Sequence, residues 1–100
     1  MHCVICAAIK THSQTQWALV TGAASGLGAS FLKGLARRGY NIVGVSKPGD
    51  CVAEVARRIA EEYGVKSQGV DLDLSEKDCA AVLKEEMHTS GIHIDFLVNN

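Results

Sequence analysis

The hydrophobic residues form two alternating patterns from residue 17 onward. Mainly apolar runs at 17–21, 41–46 and 94–98 each predict a buried strand, and a more polar run at 65–71 predicts another. Between these runs, apolar residues recur with the helical period, which predicts three helices. This alternation is typical of a doubly wound α/β fold with a parallel sheet, and right-handed crossovers give the strand order 3-2-1-4. Residues 1–15 follow neither pattern and are expected to form an irregular arm.

The first predicted helix covers residues 25–38. Leu27, Phe31 and Leu35 recur every four residues, so we expect them to share the buried face. Gly39 lies where a helix stop is expected.

The other two helices are predicted from their caps and their apolar stripes. Asp50 follows a Pro-Gly turn signal and is expected to cap the second helix, which Gly64 ends. Ser75 is expected to begin the third helix, with Asp78 three residues on as an approximate capping box. The residues expected to face the core are Val52, Val55, Ala56, Ile59, Ala60 and Tyr63 on the second helix, and Cys79, Val82, Leu83 and Met87 on the third.

Composition and charge restrict the possible partners. The 100 residues are 47% hydrophobic and 21% charged with a net charge of -1, which disfavours nucleic acid and anionic membranes as partners. No apolar run approaches the roughly 18 residues of a membrane helix. The first ten residues lack the basic start and cleavage site of a signal peptide, so we expect a cytoplasmic protein.

The four cysteines are expected to be free thiols, because the chain has a good apolar core. They are Cys3, Cys6, Cys51 and Cys79. Cys3 and Cys6, with His2 and His12 nearby, resemble half of a zinc site. Such a site needs a second well-spaced ligand pair, which does not follow, so we expect no metal.

A glycine-rich segment at residues 21–28, Thr-Gly-Ala-Ala-Ser-Gly-Leu-Gly, follows the first strand and opens the first helix. That context is the one a dinucleotide-binding turn requires. Gly22 permits a tight turn, Gly26 leaves room for a pyrophosphate, and Gly28 lets the helix pack closely on the sheet. The N–H groups and the positive helix end favour an anion there. A glycine-rich turn without a ligand is the alternative.

Two further segments accompany this turn in a fixed order. Asp73-Leu74-Ser75 follows the third strand, and Leu97-Val98-Asn99-Asn100 ends the fourth. Together with Thr-Gly-x-x-x-Gly-x-Gly they resemble the short-chain dehydrogenase/reductase family over residues 17–100. The resemblance implies the N-terminal half of a Rossmann-type doubly wound parallel sheet: a partial NAD(P)-binding domain over residues 16–100, truncated after the fourth strand.

The resemblance also implies roles for single residues. In the family, an aspartate in this segment contacts the adenine amino group, and the resemblance assigns that role to Asp73, with Asp71 as a nearby competitor. The alternative for Asp73 is a structural role in the approach to the third helix. The alternative for Asn99 and Asn100 is a polar strand end without a ligand. The residues predicted to bind the cofactor are Gly22, Ala24, Ser25, Gly26, Leu27, Gly28, Ser46, Lys47, Asp73, Leu74, Asn99 and Asn100.

The end of the second strand favours NADP over NAD. NAD-binding domains place an acidic residue there, about 20 residues after the glycine turn, to hold the ribose 2′-hydroxyl. Here Ser46 and Lys47 occupy that place, and the next carboxylate is Asp50. Ser46 can hydrogen-bond a 2′-phosphate and Lys47 can supply positive charge. A solvated lysine is the alternative, and NAD stays possible.

The resemblance implies an oxidoreductase that interconverts a carbonyl and an alcohol by hydride transfer, using a serine and a Tyr-x-x-x-Lys pair. Tyr40 and Tyr63 are followed four positions on by Gly44 and Ser67, so we expect neither to be catalytic. We therefore interpret the chain as the cofactor-binding part of a longer enzyme. The resemblance implies that the complete enzyme can form a homo-oligomer. A non-enzymatic dinucleotide-binding module and a non-functional truncated product are the alternatives. In isolation, one sheet face and the fourth strand's edge are expected to be open.

Overall fold

A computed structural model of the chain describes residues 16–100. The arm predicted at residues 1–15, which contains the Cys3–Cys6 pair, lies outside the described residues. Strands and helices alternate as the sequence predicts. The strands are β1 (Trp17–Thr21), β2 (Asn41–Ser46), β3 (Ser67–Asp71) and β4 (Ile94–Val98), and the helices are α1 (Gly26–Arg37), α2 (Val52–Tyr63) and α3 (Cys79–Thr89).

The four strands form one parallel sheet in the order β3-β2-β1-β4, which confirms the predicted order. In the register, Thr21 lies opposite Val45, and Ser46 lies opposite Asp71. Val20 lies opposite Val98 on the other side of β1. Because the strands are parallel, the segments that follow them all begin at one edge of the sheet, here called the carboxyl edge.

The core lies on both faces of this sheet, since successive strand residues point to opposite sides. Every residue of β2 is buried, as expected for a central strand covered on both faces. The cluster under α1 and α2 contains Ala18, Val20, Ala23, Leu32, Leu35, Ala36, Ile42, Val52, Ala56, Ile59 and Ala60. The cluster on the opposite face, under α3, contains Leu19, Val43, Val45, Val70 and Met87.

The predicted buried face of the first helix was correct at Leu35 and wrong at the other two positions. Leu27 is 64% exposed and Phe31 is 39% exposed. The residues that α1 buries are Gly28, Leu32, Leu35 and Ala36. The reason lies at Gly28, where the helix backbone contacts the turn so closely that this residue must face the sheet. Leu32, one turn later, therefore also faces the sheet.

The predicted start of the second helix was also wrong in detail. The residue before α2 is Cys51, which has a left-handed backbone with φ of 58°, and it forms the N-cap position without a side-chain cap bond. The Asp50 carboxylate instead accepts a hydrogen bond from Ser46 Oγ. The stripe predicted on α2 is confirmed, with its residues buried or packed against the core. Gly64 ends the helix with φ of 71°, as predicted.

The third strand begins two residues later than predicted. Val65 lies just past α2 and is still hydrogen-bonded to it, because its backbone N–H donates to the carbonyl of Ala60 at 3.0 Å. The chain becomes extended only from Ser67.

The third helix begins at Cys79 rather than at Ser75. Residues 74–78 form turns, because the side chain of Asp73 accepts hydrogen bonds from Ser75. Of the predicted stripe, Met87 is buried and Leu83 packs against the same cluster. Val82 is 48% exposed, which corrects its assignment to the core.

The edge of the sheet formed by β4 is open, as expected. Within residues 16–100, β4 pairs only with β1. Phe96 is 48% exposed and Leu97 is 60% exposed, so both faces of β4 present apolar surface.

None of the described helices is long and apolar enough to cross a membrane. Cys51 and Cys79, which lie in the described part, are free thiols.

The packing of α2 on β3 yields a test of the fold. A β-carbon on Gly69 would overlap the Cα of Ala53 and lie 2.6 Å from its backbone nitrogen, whereas one on Gly34 would meet no atom within 4 Å. We expect Gly69→Ala to lower the free energy of unfolding by about 2 kcal/mol or more. Gly34→Ala, the matched control inside α1, should raise it by about 0.5–1 kcal/mol. Urea unfolding of both variants measures the difference, and equal stabilities would contradict this packing.

Candidate dinucleotide-binding site

The glycine-rich turn begins at the carboxyl edge of the sheet, and its backbone is fixed by two bends and one hydrogen bond to β2. Gly22 and Gly26 both have positive φ, of 61° and 59°, which side-chain-bearing residues rarely adopt. Between them, Ala23 is buried and its N–H donates to the carbonyl of Val45 at 3.1 Å. The turn is thus anchored to β2 at its centre while its two glycines make the bends.

The third glycine fixes α1 against this turn. A β-carbon on Gly28 would overlap the carbonyl oxygen of Gly22, so only glycine allows the contact. A β-carbon on Gly26, by contrast, would meet nothing within 4 Å. The space in front of Gly26 is therefore open, as a phosphate-binding turn requires.

The beginning of α1 is suited to an anion. Ser25 is the N-cap residue, and its side chain forms no cap hydrogen bond. The first turn of α1 contains no acidic residue, so the positive end of the helix dipole is not neutralised there. Ser25 and Leu27 are exposed beside Gly26 and Ala24 is half-buried, so this part of the turn is open to solvent.

Thr21 joins the end of β4 to the glycine turn. Its buried hydroxyl donates to Asn99 Oδ1 at 3.1 Å and accepts from the backbone N–H of Asn100 at 2.9 Å. The Asn100 amide nitrogen donates to the carbonyl of Gly22 at 3.3 Å. Both predicted asparagines therefore lie beside the turn and hold two segments together that are about eighty positions apart in sequence.

The end of β2 carries two predicted residues in different environments. Ser46 is only 7% exposed, and its hydroxyl donates to Asp50 Oδ2 at 2.5 Å. Lys47 is exposed at the start of the following turn. Sequence reasoning missed this Ser46–Asp50 contact. The Pro48-Gly49 pair was the available signal, because such a pair turns the chain back on itself.

Asp73 lies at the same edge, after β3. Its Oδ1 accepts from the backbone N–H of Ser75 at 2.9 Å and from the Ser75 hydroxyl at 2.7 Å. These hydrogen bonds lower the pKa of the Asp73 carboxyl, and the positive charge of Lys47 lowers it further. Asp73 thus organises the approach to α3, and Lys47 lies at the same edge, because the strands that precede the two residues are neighbours in the sheet. Its competitor Asp71 is exposed at the end of β3.

The remaining predicted residue, Leu74, is 40% exposed and follows Asp73 at this edge. The structure therefore gathers the turn, the end of β2, the Asp73 segment and the two asparagines along one side of the molecule. The two tyrosines lie elsewhere in the packing: the ring of Tyr40 stacks on Phe96 with centroids 6.1 Å apart, and Tyr63 packs against the core. Within residues 16–100, no group of three His, Cys, Asp or Glu side chains could hold a metal ion.

Residues 16–100 match the sequence model of the short chain dehydrogenase family. The chain belongs to the short-chain dehydrogenase family. Among its relatives is the very-long-chain 3-oxoacyl-CoA reductase of Rattus norvegicus, which is 38% identical over 85 residues, covering 85% of this chain and 27% of the relative. The chain thus spans about a quarter of that relative's length, and it corresponds to the N-terminal portion of a short-chain dehydrogenase.

Solved structures of the family agree with the fold. The L-sorbose reductase from Gluconobacter frateurii, complexed with NADPH and L-sorbose, superposes with a TM-score of 0.78 at 33% identity, over 85% of this chain and 32% of that one. The short-chain dehydrogenase from Sphingobium yanoikuyae, in complex with NADPH, superposes with a TM-score of 0.64 at 30% identity, over 72% of this chain and 28% of that one.

The link between Thr21 and the asparagines can be tested with a matched pair of variants. Thr21→Val keeps the shape of the side chain but removes the acceptor of the Asn100 N–H, whereas Thr21→Ser keeps the hydroxyl. We expect Thr21→Val to lower the free energy of unfolding by about 0.5–1.5 kcal/mol, the usual net contribution of a hydrogen bond, because Asn99 and Asn100 are exposed and water can replace the lost partner. The Asn100 amide resonance should shift in the valine variant and much less in the serine variant. Equal behaviour of the two variants would contradict the link.

The Asp73 turn predicts a pH dependence. Since the folded chain lowers the pKa of this carboxyl, its stabilising contribution is present at neutral pH and is lost as the pH falls through the lowered pKa. Ser75→Ala removes the largest cause, so the pKa of Asp73 should rise toward its ordinary range. Lys47→Gln should raise it by less. Carboxyl-carbon NMR titration measures both shifts, and a reversed order of the two variants would refute this account.

Proposed function

We propose that this chain is the NADP(H)-binding, N-terminal portion of a short-chain oxidoreductase that interconverts a carbonyl and an alcohol by hydride transfer. The observation that carries the proposal is the convergence of a glycine turn, an uncompensated helix N-terminus and three strand ends at the carboxyl edge. In doubly wound sheets, dinucleotides bind outside the carboxyl ends of the strands.

In this proposal, the described residues would contact a bound dinucleotide in a definite order. The open space before Gly26 and the start of α1 would hold the pyrophosphate. Ser46 and Lys47, at the end of β2, would face the adenosine ribose. Asp73 and Leu74, one strand further out, would contact the adenine. Asn99 and Asn100 flank the turn on its other side, so they would line the path toward the nicotinamide.

The NADP preference rests on Lys47. This side chain is exposed and directly follows β2 at the carboxyl edge of the sheet. A lysine there supplies a point charge that a 2′-phosphate binds. The two structural relatives described above were both solved with NADPH, which supports the preference. NAD remains the second cofactor this site would accept.

The reaction itself is proposed for the longer protein. The bound cofactor would supply the hydride, and this chain's residues would bind and orient its adenosine and pyrophosphate groups. The serine and the Tyr-x-x-x-Lys pair that the family resemblance implies are not matched by Tyr40 or Tyr63. The carbonyl substrate, the oligomer of the complete enzyme and its cytoplasmic location stay predictions.

Calorimetric titration of the 100-residue chain with NADP+ and NAD+ tests the proposal. We expect Lys47→Gln to weaken NADP+ binding at least about tenfold, the loss of a hydrogen bond to a charged group, while NAD+ binding changes by less than about twofold. Lys66→Gln is the matched control, because Lys66 is exposed just before β3, at the opposite edge of the sheet. A folded wild-type chain that binds neither dinucleotide would overturn the proposed function.

A further inference from the structure

The turn after β2 brings a carboxylate back to the strand that precedes it. Pro48 and Gly49 occupy its two central positions, and Gly49 has φ of 98°, as the third residue of a type II turn requires. The backbone N–H of Asp50 donates to the carbonyl of Lys47 at 3.3 Å and closes the turn. Asp50 Oδ2 consequently lies 2.5 Å from Ser46 Oγ.

This contact changes the chemistry of the strand end. Ser46 is buried and its hydroxyl proton is directed to Asp50, so the hydroxyl presents its acceptor side to any other partner. Asp50 is half-buried and Lys47 is exposed. One turn therefore carries a negative group at its end and a positive group at its beginning, next to the ribose position that the proposed function assigns to Ser46 and Lys47.

We propose that Asp50 is a specificity-determining residue that limits the preference for NADP and keeps NAD as an accepted cofactor. This inference rests on the proposed function of the same site. An atom hydrogen-bonded to Ser46 and a ligand oxygen near the same hydroxyl lie within about 6 Å of each other. The Asp50 carboxylate therefore repels a 2′-phosphate, whereas it can accept a hydrogen bond from a ribose 2′-hydroxyl. Lys47 acts in the opposite direction on the same position.

The charge arrangement sets the size of the effect. Repulsion between one carboxylate and a nearly doubly charged phosphate about 6 Å away, in a water-like dielectric, corresponds to about a tenfold change in affinity. The effect should shrink as salt is added, because the subsite is open to solvent. A purely structural Asp50, which only holds the turn closed, would act equally on both cofactors.

The test uses two small ligands that contain only the adenosine half. These are 2′,5′-ADP, which carries the 2′-phosphate, and 5′-AMP, which carries the free 2′-hydroxyl. The full chain and its variants Asp50→Asn and Asp50→Ser are titrated with both by calorimetry, with circular dichroism as a check of folding. The two variants remove the charge but keep an acceptor for Ser46, so the turn can stay closed. Glu62→Gln, which removes an exposed charge at the far end of α2, is the matched control.

We expect both Asp50 variants to raise the affinity for 2′,5′-ADP relative to 5′-AMP by about tenfold at low salt, and Glu62→Gln to leave the ratio unchanged. An unchanged ratio in either folded Asp50 variant, or an equal loss for both ligands, overturns the inference and leaves the proposed function standing. Failure of the folded wild-type chain to bind NADP+, NAD+ and both small ligands overturns the proposed function and the inference together.

Discussion

The close packing of Gly28 on the carbonyl of Gly22 is the contact from which most of the site geometry follows. It presses the first turn of α1 against the end of β1, and it sets the rotation of the helix about its own axis. Leu32 is carried into the core as a consequence, and Leu27 is left exposed beside the turn. A side chain at position 28 would separate helix and turn, and the helix N-terminus would no longer point across the open space before Gly26.

The buried hydroxyl of Thr21 extends this arrangement to the neighbouring strand. It donates to Asn99 and accepts from Asn100, so a single hydroxyl links two strand ends. On the other side of β1, the turn is attached to β2 through Ala23 and Val45. The glycine turn is thus hydrogen-bonded to the segments on both sides of β1, and these bonds help to define its shape.

The sequence was sufficient to predict the elements, their order and the sheet topology, because apolar runs and right-handed crossovers depend on local patterns. It failed where a single contact overrides such a pattern. The prediction for the first helix followed the apolar spacing of Leu27 and Phe31. The close contact at Gly28, which determines the buried face, does not show in that spacing. Asp50 was assigned to the helix that follows it, because a cap and a turn-closing contact use the same residue type. Asp73 delayed α3 by four residues through hydrogen bonds that no periodicity reveals.

The proposed cofactor contacts divide between a well-covered and an open part of the sheet. Ser46 ends a strand whose every residue is buried, and the Asp73 segment follows β3 on the same side of β1, whereas Asn99 and Asn100 follow the exposed strand β4. Local stability follows burial, so the adenosine side should open less often than the end of β4. In the proposed site, the charges that would distinguish a 2′-phosphate from a 2′-hydroxyl belong to the turn at residues 47–50, which directly follows the buried strand β2. In the same proposal, the residues nearest the reactive half of the cofactor follow β4, the strand that the described residues leave most exposed.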